Sequence, residues 1–184
     1  SDKLHFEGVH AVYAIPPYLL AMAGSLGAYY SGGMVYALYG VHLFKDCSRE
    51  VSPEGLGKMV EIVVQRFPGW EGVIDRQHLE AAASVSGGDI RDYLRMLRLC
   101  LAELNGLRRT GKPAGKITSE LVTGAKNQLL RDMLPIAETD KEWLRKIGAT
   151  HQPCLPTPKD LPTLARFFES KFVLNYRNGQ DWYD

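Results

Sequence analysis

The strongest constraint on the fold is a segment that opens with Ser86-Gly87-Gly88-Asp89 and continues as an amphipathic pattern to about Leu107. Asp89 is a residue type that caps helix N-termini, and the glycines before it favour a tight turn. Apolar side chains then recur every three or four residues, the spacing of one helix face. We predict that this helix face is buried, its members being Ile90, Tyr93, Leu94, Leu97, Leu101 and Leu104.

Arginines lie beside this apolar face, at Arg91, Arg95 and Arg98. Arg91 falls in the first helical turn, next to the two glycines. Its planar guanidinium can donate two parallel hydrogen bonds to phosphate or carboxylate oxygens. The pattern is therefore typical either of a solvated basic helix edge or of a helix start that presents an arginine to an anion.

The stretch Ser86-Gly-Gly-Asp-Ile-Arg-Asp-Tyr-Leu-Arg-Met-Leu-Arg98 resembles the lid-helix motif of AAA+ ATPases, Ser-Gly-Gly-x-x-Arg-Asp-Leu-x-Arg-Leu. In that family the first arginine is the sensor-2 residue, which contacts the γ-phosphate of the nucleotide, and Arg91 matches it. The resemblance implies nucleotide binding by Arg91, Gly87 and Gly88. It also implies that ATP and Mg²⁺ are the cofactors, held mainly by parts of a longer protein.

Composition excludes several classes of protein. With 184 residues, 45% hydrophobic and 23% charged, the chain is typical of a soluble globular protein. A net charge of +1 gives no global attraction to nucleic acid or anionic membrane. Three widely spaced cysteines fit neither a disulfide framework nor a zinc site, so we expect a reducing, cytoplasmic location and no metal.

Residues 1–50 contain a long stretch without Lys, Arg, Asp or Glu, from Gly8 to Phe44. Prolines and glycines break this stretch too often for a membrane span, so we expect no membrane partner. We predict a strand at 9–15, a helix at 18–29 and a strand at 34–44. In the AAA+ comparison this strand pair is similar to the rear of the nucleotide-binding α/β core.

Residues 51–108 read as a helical bundle. Ser52 and Pro53 predict a helix start, and Asp75 predicts a second helix that runs to about Ser84. With the arginine-bearing helix these make the three helices of a predicted lid. The inward residues of the first helix are predicted to be Leu56, Met59, Val60, Val63 and Val64.

Gly106 to Lys112 matches the first part of a phosphate-binding loop, Gly-x4-Gly-Lys, but we reject that interpretation. Pro113 replaces the Ser or Thr whose hydroxyl binds Mg²⁺, and the segment follows a helix rather than a strand. The chain on its own is therefore expected to be inactive as an ATPase. The resemblance implies that its main partner is the remainder of the ATPase core.

Residues 109–184 resemble a winged helix of the kind that closes bacterial AAA+ and STAND-type ATPase modules. Phe172, Leu174 and Tyr176 share one face of the first predicted strand and should pack together on the helices. The first predicted element is a helix at 117–134. A second helix opens with a capping box at Thr139 and ends near Gly148, and a third follows a capped start at Thr157–Asp160 and covers 161–170. The last element is a hairpin that turns at Asn178-Gly179.

The predicted fold class is thus mainly α with small β parts: a strand pair, a helical-bundle lid and a C-terminal winged helix. The first hypothesis is that the chain senses ATP through Arg91 and relays nucleotide state to a partner, alone or in a homo-oligomer. The alternative is a non-enzymatic winged helix that binds DNA or protein. Its candidate nucleic-acid contacts are Lys159, Arg166, Lys171 and Arg177. We identify no catalytic constellation.

Overall fold

The computed structural model describes residues 12–15, 40–45, 50–112, 114–152, 155, 157–177 and 181–183 of the chain. This described part is mainly helical, as predicted. Its helices are α1 (Pro53–Arg66), α2 (Arg76–Ser86), α3 (Ile90–Arg109), α4 (Ser119–Asp132), α5 (Glu138–Thr150) and α6 (Leu161–Glu169), with 3₁₀ turns at Trp70–Gly72 and Pro158–Asp160. Strands β1 (Asn175–Arg177) and β2 (Asp181–Tyr183) form an antiparallel pair.

Helices α1 and α3 begin at the predicted caps. The Ser52 hydroxyl accepts a hydrogen bond from the backbone N–H of Gly55 at 3.2 Å, and Pro53 occupies the first helical position. The Asp89 carboxylate accepts a hydrogen bond from the backbone N–H of Asp92 at 3.0 Å. Each cap satisfies a backbone donor that has no partner within its own helix, which fixes where the helix starts.

The first core, as we call the larger hydrophobic cluster, lies between α1, α2, α3 and α4. Its most deeply buried large side chains are those of Leu43, Met59, Leu79, Tyr93, Met96 and Leu104. In α1, Leu56 and Val63 are half-buried, whereas Val64 is 39% exposed, so its predicted inward position is wrong. Val64 lies in the last turn of the helix, one turn after buried Val60, and is not among the side chains that pack on the first core.

The buried face of α3 differs from the predicted one at four positions. Ile90 and Leu101 are 40% and 37% exposed, whereas Met96 and Cys100 are buried. The reason is α4, which packs along α3 and brings the backbone carbonyl of Leu121 within 3.5 Å of the Cys100 sulfur. The face is therefore turned toward a helix whose position the sequence pattern of α3 does not reveal.

The predicted polar connector between 108 and 116 follows α3 and is held firmly. The Arg108 guanidinium donates a hydrogen bond to the Gly115 carbonyl at 2.6 Å, and the Ile117 N–H donates to the Val73 carbonyl at 2.7 Å. Helix α4, beyond this connector, contributes Val122 and Ala125 to the first core. Packing thus groups α4 with the helices of residues 51–108, across the predicted boundary at 108/109.

A second, smaller cluster, the second core, holds α5, α6 and the residues after α6 together; its buried members are Ile147, Leu164, Phe167 and Val173. We call α5, α6, the residues after α6 and the β-hairpin the C-terminal unit. The predicted capping box at Thr139 is wrong, since the cap of α5 is Ala137, two residues earlier, and the helix begins at Glu138. The predicted capped start at Thr157–Asp160 is confirmed, and the two residues form a capping box in which the Thr157 hydroxyl lies 2.7 Å from the Asp160 carboxylate.

The hairpin pairs Asn175 with Tyr183 across β1 and β2. The strand begins three residues later than predicted, and the preceding side chains do not share one packing surface. Phe172 packs on the second core, whereas Leu174 packs on the first core. The predicted common face of Phe172, Leu174 and Tyr176 is therefore wrong for its first two members, because the chain turns before it becomes extended. The predicted winged helix is not confirmed.

The predicted strand pair in residues 1–50 falls mostly outside the described residues. Within them, 12–15 and 40–43 carry no strand, and Phe44 forms an isolated antiparallel bridge with Val51. Among the helices of the described ranges, none combines the length and the apolar character needed to cross a membrane.

Candidate functional site

The junction between α2 and α3 has the geometry that the glycines were predicted to provide. Gly87 ends α2 in the left-handed conformation with φ 60°, and Gly88 follows with φ 87°. Residues with a Cβ rarely adopt these angles, which accounts for both glycines. Asp89 then caps α3, so the chain reverses within three residues and Arg91 falls in the first turn of the new helix.

Gly88 also has a packing role. Its carbonyl accepts a hydrogen bond from the Val41 N–H at 3.0 Å, and a Cβ at Gly88 would collide with the Val41 carbonyl oxygen. Leu43, two residues further, is fully buried in the first core. Gly88 is therefore needed for the close approach of segment 40–45. Nucleotide binding by Gly87 and Gly88 stays a prediction.

Arg91 is exposed, as predicted, and makes no ion pair with any residue in the described part of the chain. It stands at the N-terminal end of α3, where the helix dipole is positive. A cation there is unfavourable unless an anion is also present, and the same dipole favours a bound phosphate. The arrangement leaves the guanidinium accessible to a ligand.

Two carboxylates flank Arg91 in sequence and respond differently to their surroundings. Burial alone would raise the pKa of Asp89, but hydrogen bonds from Lys171 and from the Asp92 N–H, with the charge of Lys171, hold that pKa below its ordinary value. The Lys171 ammonium lies 2.6 Å from Asp89 Oδ2. Burial, followed by the neighbouring charge of Asp89, raises the pKa of Asp92. The helix start thus carries two acids and Arg91 within four residues.

The other arginines of the α3 stripe have separate environments. Arg95 forms an ion pair with Asp132 at the end of α4. Arg98 is exposed and has no ion-pair partner in the described ranges. The stripe is therefore not one continuous free basic edge, and Arg91 is the member that lies at the helix start.

The four predicted nucleic-acid contacts do not form a free basic surface among the described side chains. Arg166 donates to the Asp140 carboxylate at 2.7 Å, and its guanidinium lies over the Phe167 ring. Lys171 is paired with Asp89. Lys159 is exposed, and the side chain of Arg177 lies outside the described residues. Two of the four cations are thus already neutralised.

A cleft of about 510 Å³ lies between segment 40–45 and the start of α1. Its charged lining residues are paired with each other or with neighbours: Lys58 with Glu54 and Lys45 with Glu50, each at 2.6 Å. A site for a phosphate would need an excess of positive charge. Both lysines in the described lining of the cleft are paired with carboxylates, and sequence reasoning did not single this cleft out.

The stretch that resembles a phosphate-binding loop begins inside a helix, since Gly106 belongs to α3. A helical backbone has no run of free N–H groups that could surround a phosphate. Burial raises the pKa of the Cys100 thiol to about 11, which makes this thiol unreactive at neutral pH. No group of three or more His, Cys, Asp and Glu side chains within the described ranges is placed to hold a metal ion.

Sequence reasoning did not find Lys171 as the partner of Asp89 or Asp140 as the partner of Arg166. The residues of the first pair are 82 positions apart and those of the second are 26 positions apart, so no local sequence pattern predicts either pair. Comparison with known proteins found no family model, no curated protein and no solved structure that matches this chain.

Proposed function

We propose that this chain is the lid and winged-helix portion of a cytoplasmic AAA+ or STAND-type ATPase, in which Arg91 senses ATP and nucleotide state is relayed to a partner. The observation that carries the proposal is the placement of Arg91. It is exposed, it has no ion-pair partner among the described residues, and it lies in the first turn of a helix whose start is fixed by Gly87, Gly88 and Asp89.

The chemistry asked of Arg91 is the recognition of one phosphate group. Its two terminal N–H groups can donate to two phosphate oxygens, and the positive end of the α3 dipole adds to the attraction. The glycine turn and the cap fix the helix start, so less motion must be frozen when an anion binds. This pre-organisation suits a sensor that has to respond to a single phosphate.

The described residues fit one contact to ATP rather than a complete nucleotide site. Arg91 supports the phosphate contact, but no described carboxylate cluster is placed to hold Mg²⁺. When bound, ATP and Mg²⁺ would supply the γ-phosphate and its counter-charge. The rest of the ATPase core, which would contain the phosphate-binding loop, is therefore the partner that the proposal requires.

A protein partner is favoured over DNA for the C-terminal unit. Arg166 and Lys171 are paired with carboxylates, and breaking such pairs to reach DNA phosphates would leave Asp140 and Asp89 without their cations. Asp140 is only 8% exposed, so loss of its cation would leave a buried carboxylate unpaired and would lower stability. DNA binding remains the alternative, and its signature would be a steep fall in affinity with salt.

Arg91→Ala tests the sensor in a protein that joins this chain to its phosphate-binding-loop domain. Loss of a charged hydrogen bond costs about 1.5–3 kcal/mol, so ATP binding measured by calorimetry should weaken roughly 10- to 150-fold. Arg98→Ala is the matched control, because Arg98 is an exposed arginine on the same helix two turns away. Equal ATP affinity in both variants and the wild type would refute the sensor.

Fluorescence anisotropy with duplex DNA at two salt concentrations tests the alternative. Tight binding that weakens steeply with salt, and that Lys159→Ala reduces, would establish a nucleic-acid interface. Binding that is weak at both salt concentrations is the result we expect.

A further inference from the structure

We infer that the Lys171–Asp89 ion pair is a latch, which holds the C-terminal unit against the start of α3. Binding of an anion at Arg91 opens this latch. The holding contact stands on geometry by itself, whereas its opening rests on the proposed function of Arg91.

Asp89 uses its two carboxylate oxygens for different partners. Oδ1 accepts the Asp92 N–H at 3.0 Å and caps α3, while Oδ2 accepts the Lys171 ammonium at 2.6 Å. The Asp89 side chain is only 14% exposed, so this contact is partly shielded from solvent. One carboxylate therefore joins the first turn of α3 to a residue 82 positions later in the chain.

Lys171 is held rigidly on the C-terminal unit. It follows α6 with φ 62°, a left-handed conformation that is uncommon for a residue with a Cβ. Its N–H donates to the Phe168 carbonyl, and the N–H groups of Phe172 and Val173 both donate to the Phe167 carbonyl. The lysine side chain thus extends from a hydrogen-bonded backbone that adjoins the second core.

Leu174 provides a second, apolar contact between the C-terminal unit and the first core. It packs against the first core, whereas Val173, its neighbour, is buried in the second core. The chain therefore passes from one core to the other within two residues. Without the ion pair, this apolar contact and the connecting chain would still join the C-terminal unit to the first core.

Electrostatics explains how an anion would open the latch. A phosphate bound at Arg91 would add negative charge at the helix start that Asp89 caps, and this charge would repel the Asp89 carboxylate and attract the Lys171 ammonium. Two further charges at this helix start are described: Asp92, which would repel the anion, and Arg95, which is paired with Asp132. Lys171, whose side chain is 40% exposed, is the cation that would exchange Asp89 for the phosphate.

Distances between two spin labels measure the latch directly. Labels are placed at exposed Glu103 on α3 and exposed Glu142 on α5, after Cys47 and Cys154 are replaced by serine; buried Cys100 stays unlabelled. Asp89→Asn keeps a good helix cap but removes the charge, and Lys171→Met removes the other partner. Asp132→Asn is the matched control, because it breaks an ion pair of α3 that lies outside the C-terminal unit.

Without ligand, each latch variant should at least double the width of the distance distribution, and the double variant should widen it no further. Asp132→Asn should behave as the wild type. Wild-type widths in both latch variants, or additive widening in the double variant, would overturn the latch.

Inorganic tripolyphosphate, compared with sodium chloride at matched ionic strength, tests the opening. It should widen the wild-type distribution to that of Lys171→Met and should have no effect in Arg91→Ala. Binding of tripolyphosphate without widening overturns the opening. A third outcome is that tripolyphosphate neither binds nor widens the distribution, although Asp89→Asn widens it. Arg91 is then not an anion sensor, and the ion pair is a structural link between α3 and the C-terminal unit.

Discussion

The first core and the second core hold their helices together by different means. The first core joins four helices through many fully buried side chains, among them Met59, Leu79 and Met96. The second core has few buried residues and depends on aromatic packing: the Trp143 and Phe167 rings meet edge to face at 5.2 Å. A small cluster loses a larger share of its contacts with each residue removed, so stability is unevenly distributed along this chain.

Phe167→Ala should have the largest effect, and should affect one part of the molecule. Removing a fully buried phenylalanine costs about 3–5 kcal/mol, which is more than a cluster of this size can lose. We expect α5 and α6 to unfold while α1 to α4 stay folded. Hydrogen exchange resolved by segment should show lost protection in residues 138–174 alone.

Met96→Ala is the matched change in the first core. It costs about 2–5 kcal/mol, but the loss is shared by four packed helices. We expect a lower unfolding temperature for α1 to α4 together, with no local unfolding. If Phe167→Ala instead lowers protection uniformly in both parts, the two cores form one cooperative unit and the contrast drawn above is wrong.

Gly88→Ala should cause the next largest loss of stability. Alanine at a positive φ costs about 1–2 kcal/mol, and the collision with the Val41 carbonyl adds about 1–3 kcal/mol for a forced shift. Gly111→Ala is the control, since Gly111 also has a positive φ of 72° but open space around it. Urea denaturation should separate the two variants by the cost of the collision, and equal losses would show that segment 40–45 yields freely.

Asp89→Asn should alter the pH dependence of stability. The pKa of Asp89 is lowered in the folded chain, so its contribution is present above the pKa of the unfolded chain, about 4, and is lost as pH falls through the folded value. The wild type should therefore exceed the variant in free energy of unfolding at pH 7, and the difference should shrink in acid. A difference that stays constant from pH 7 to pH 3 would assign it to the cap rather than to charge.

Tyr93→Phe should have the smallest effect and the opposite sign. The Tyr93 hydroxyl is buried and has no hydrogen-bond partner in the described part of the chain, and burial raises its pKa. Replacing an unsatisfied polar group by an apolar one of the same shape is neutral or stabilising, here by up to about 1 kcal/mol. A clear loss of stability would show that the hydroxyl has a partner, and would mark the first core as partly polar.

Much of the helical structure followed from local rules. Ser52, Asp75 and Asp89 stand where α1, α2 and α3 begin, because an N-cap is decided by a few neighbouring residues. The side of α3 that is buried was predicted less well: Ile90 is exposed and Met96 is buried. That choice depends on where α4 packs, which is tertiary information absent from a single helix pattern.

The candidate site divides in the same way. The exposure of Arg91 and the glycine turn before it could be predicted from adjacent residues. The pairing of Lys171 with Asp89 could not, because an ion pair between distant positions depends on the whole fold. A lysine chosen as a nucleic-acid contact therefore proved to have a carboxylate partner.

Segment 40–45 determines what can move at this end of the molecule. It packs tightly against two glycines. A Cβ at Gly55 would collide with the His42 carbonyl, and a Cβ at Gly88 would collide with the Val41 carbonyl. The Ser52 N–H also donates to the Leu43 carbonyl at 2.7 Å. These six residues therefore move together with the helices as one rigid part. Arg91, on α3, belongs to the same part of the molecule and does not move separately from it.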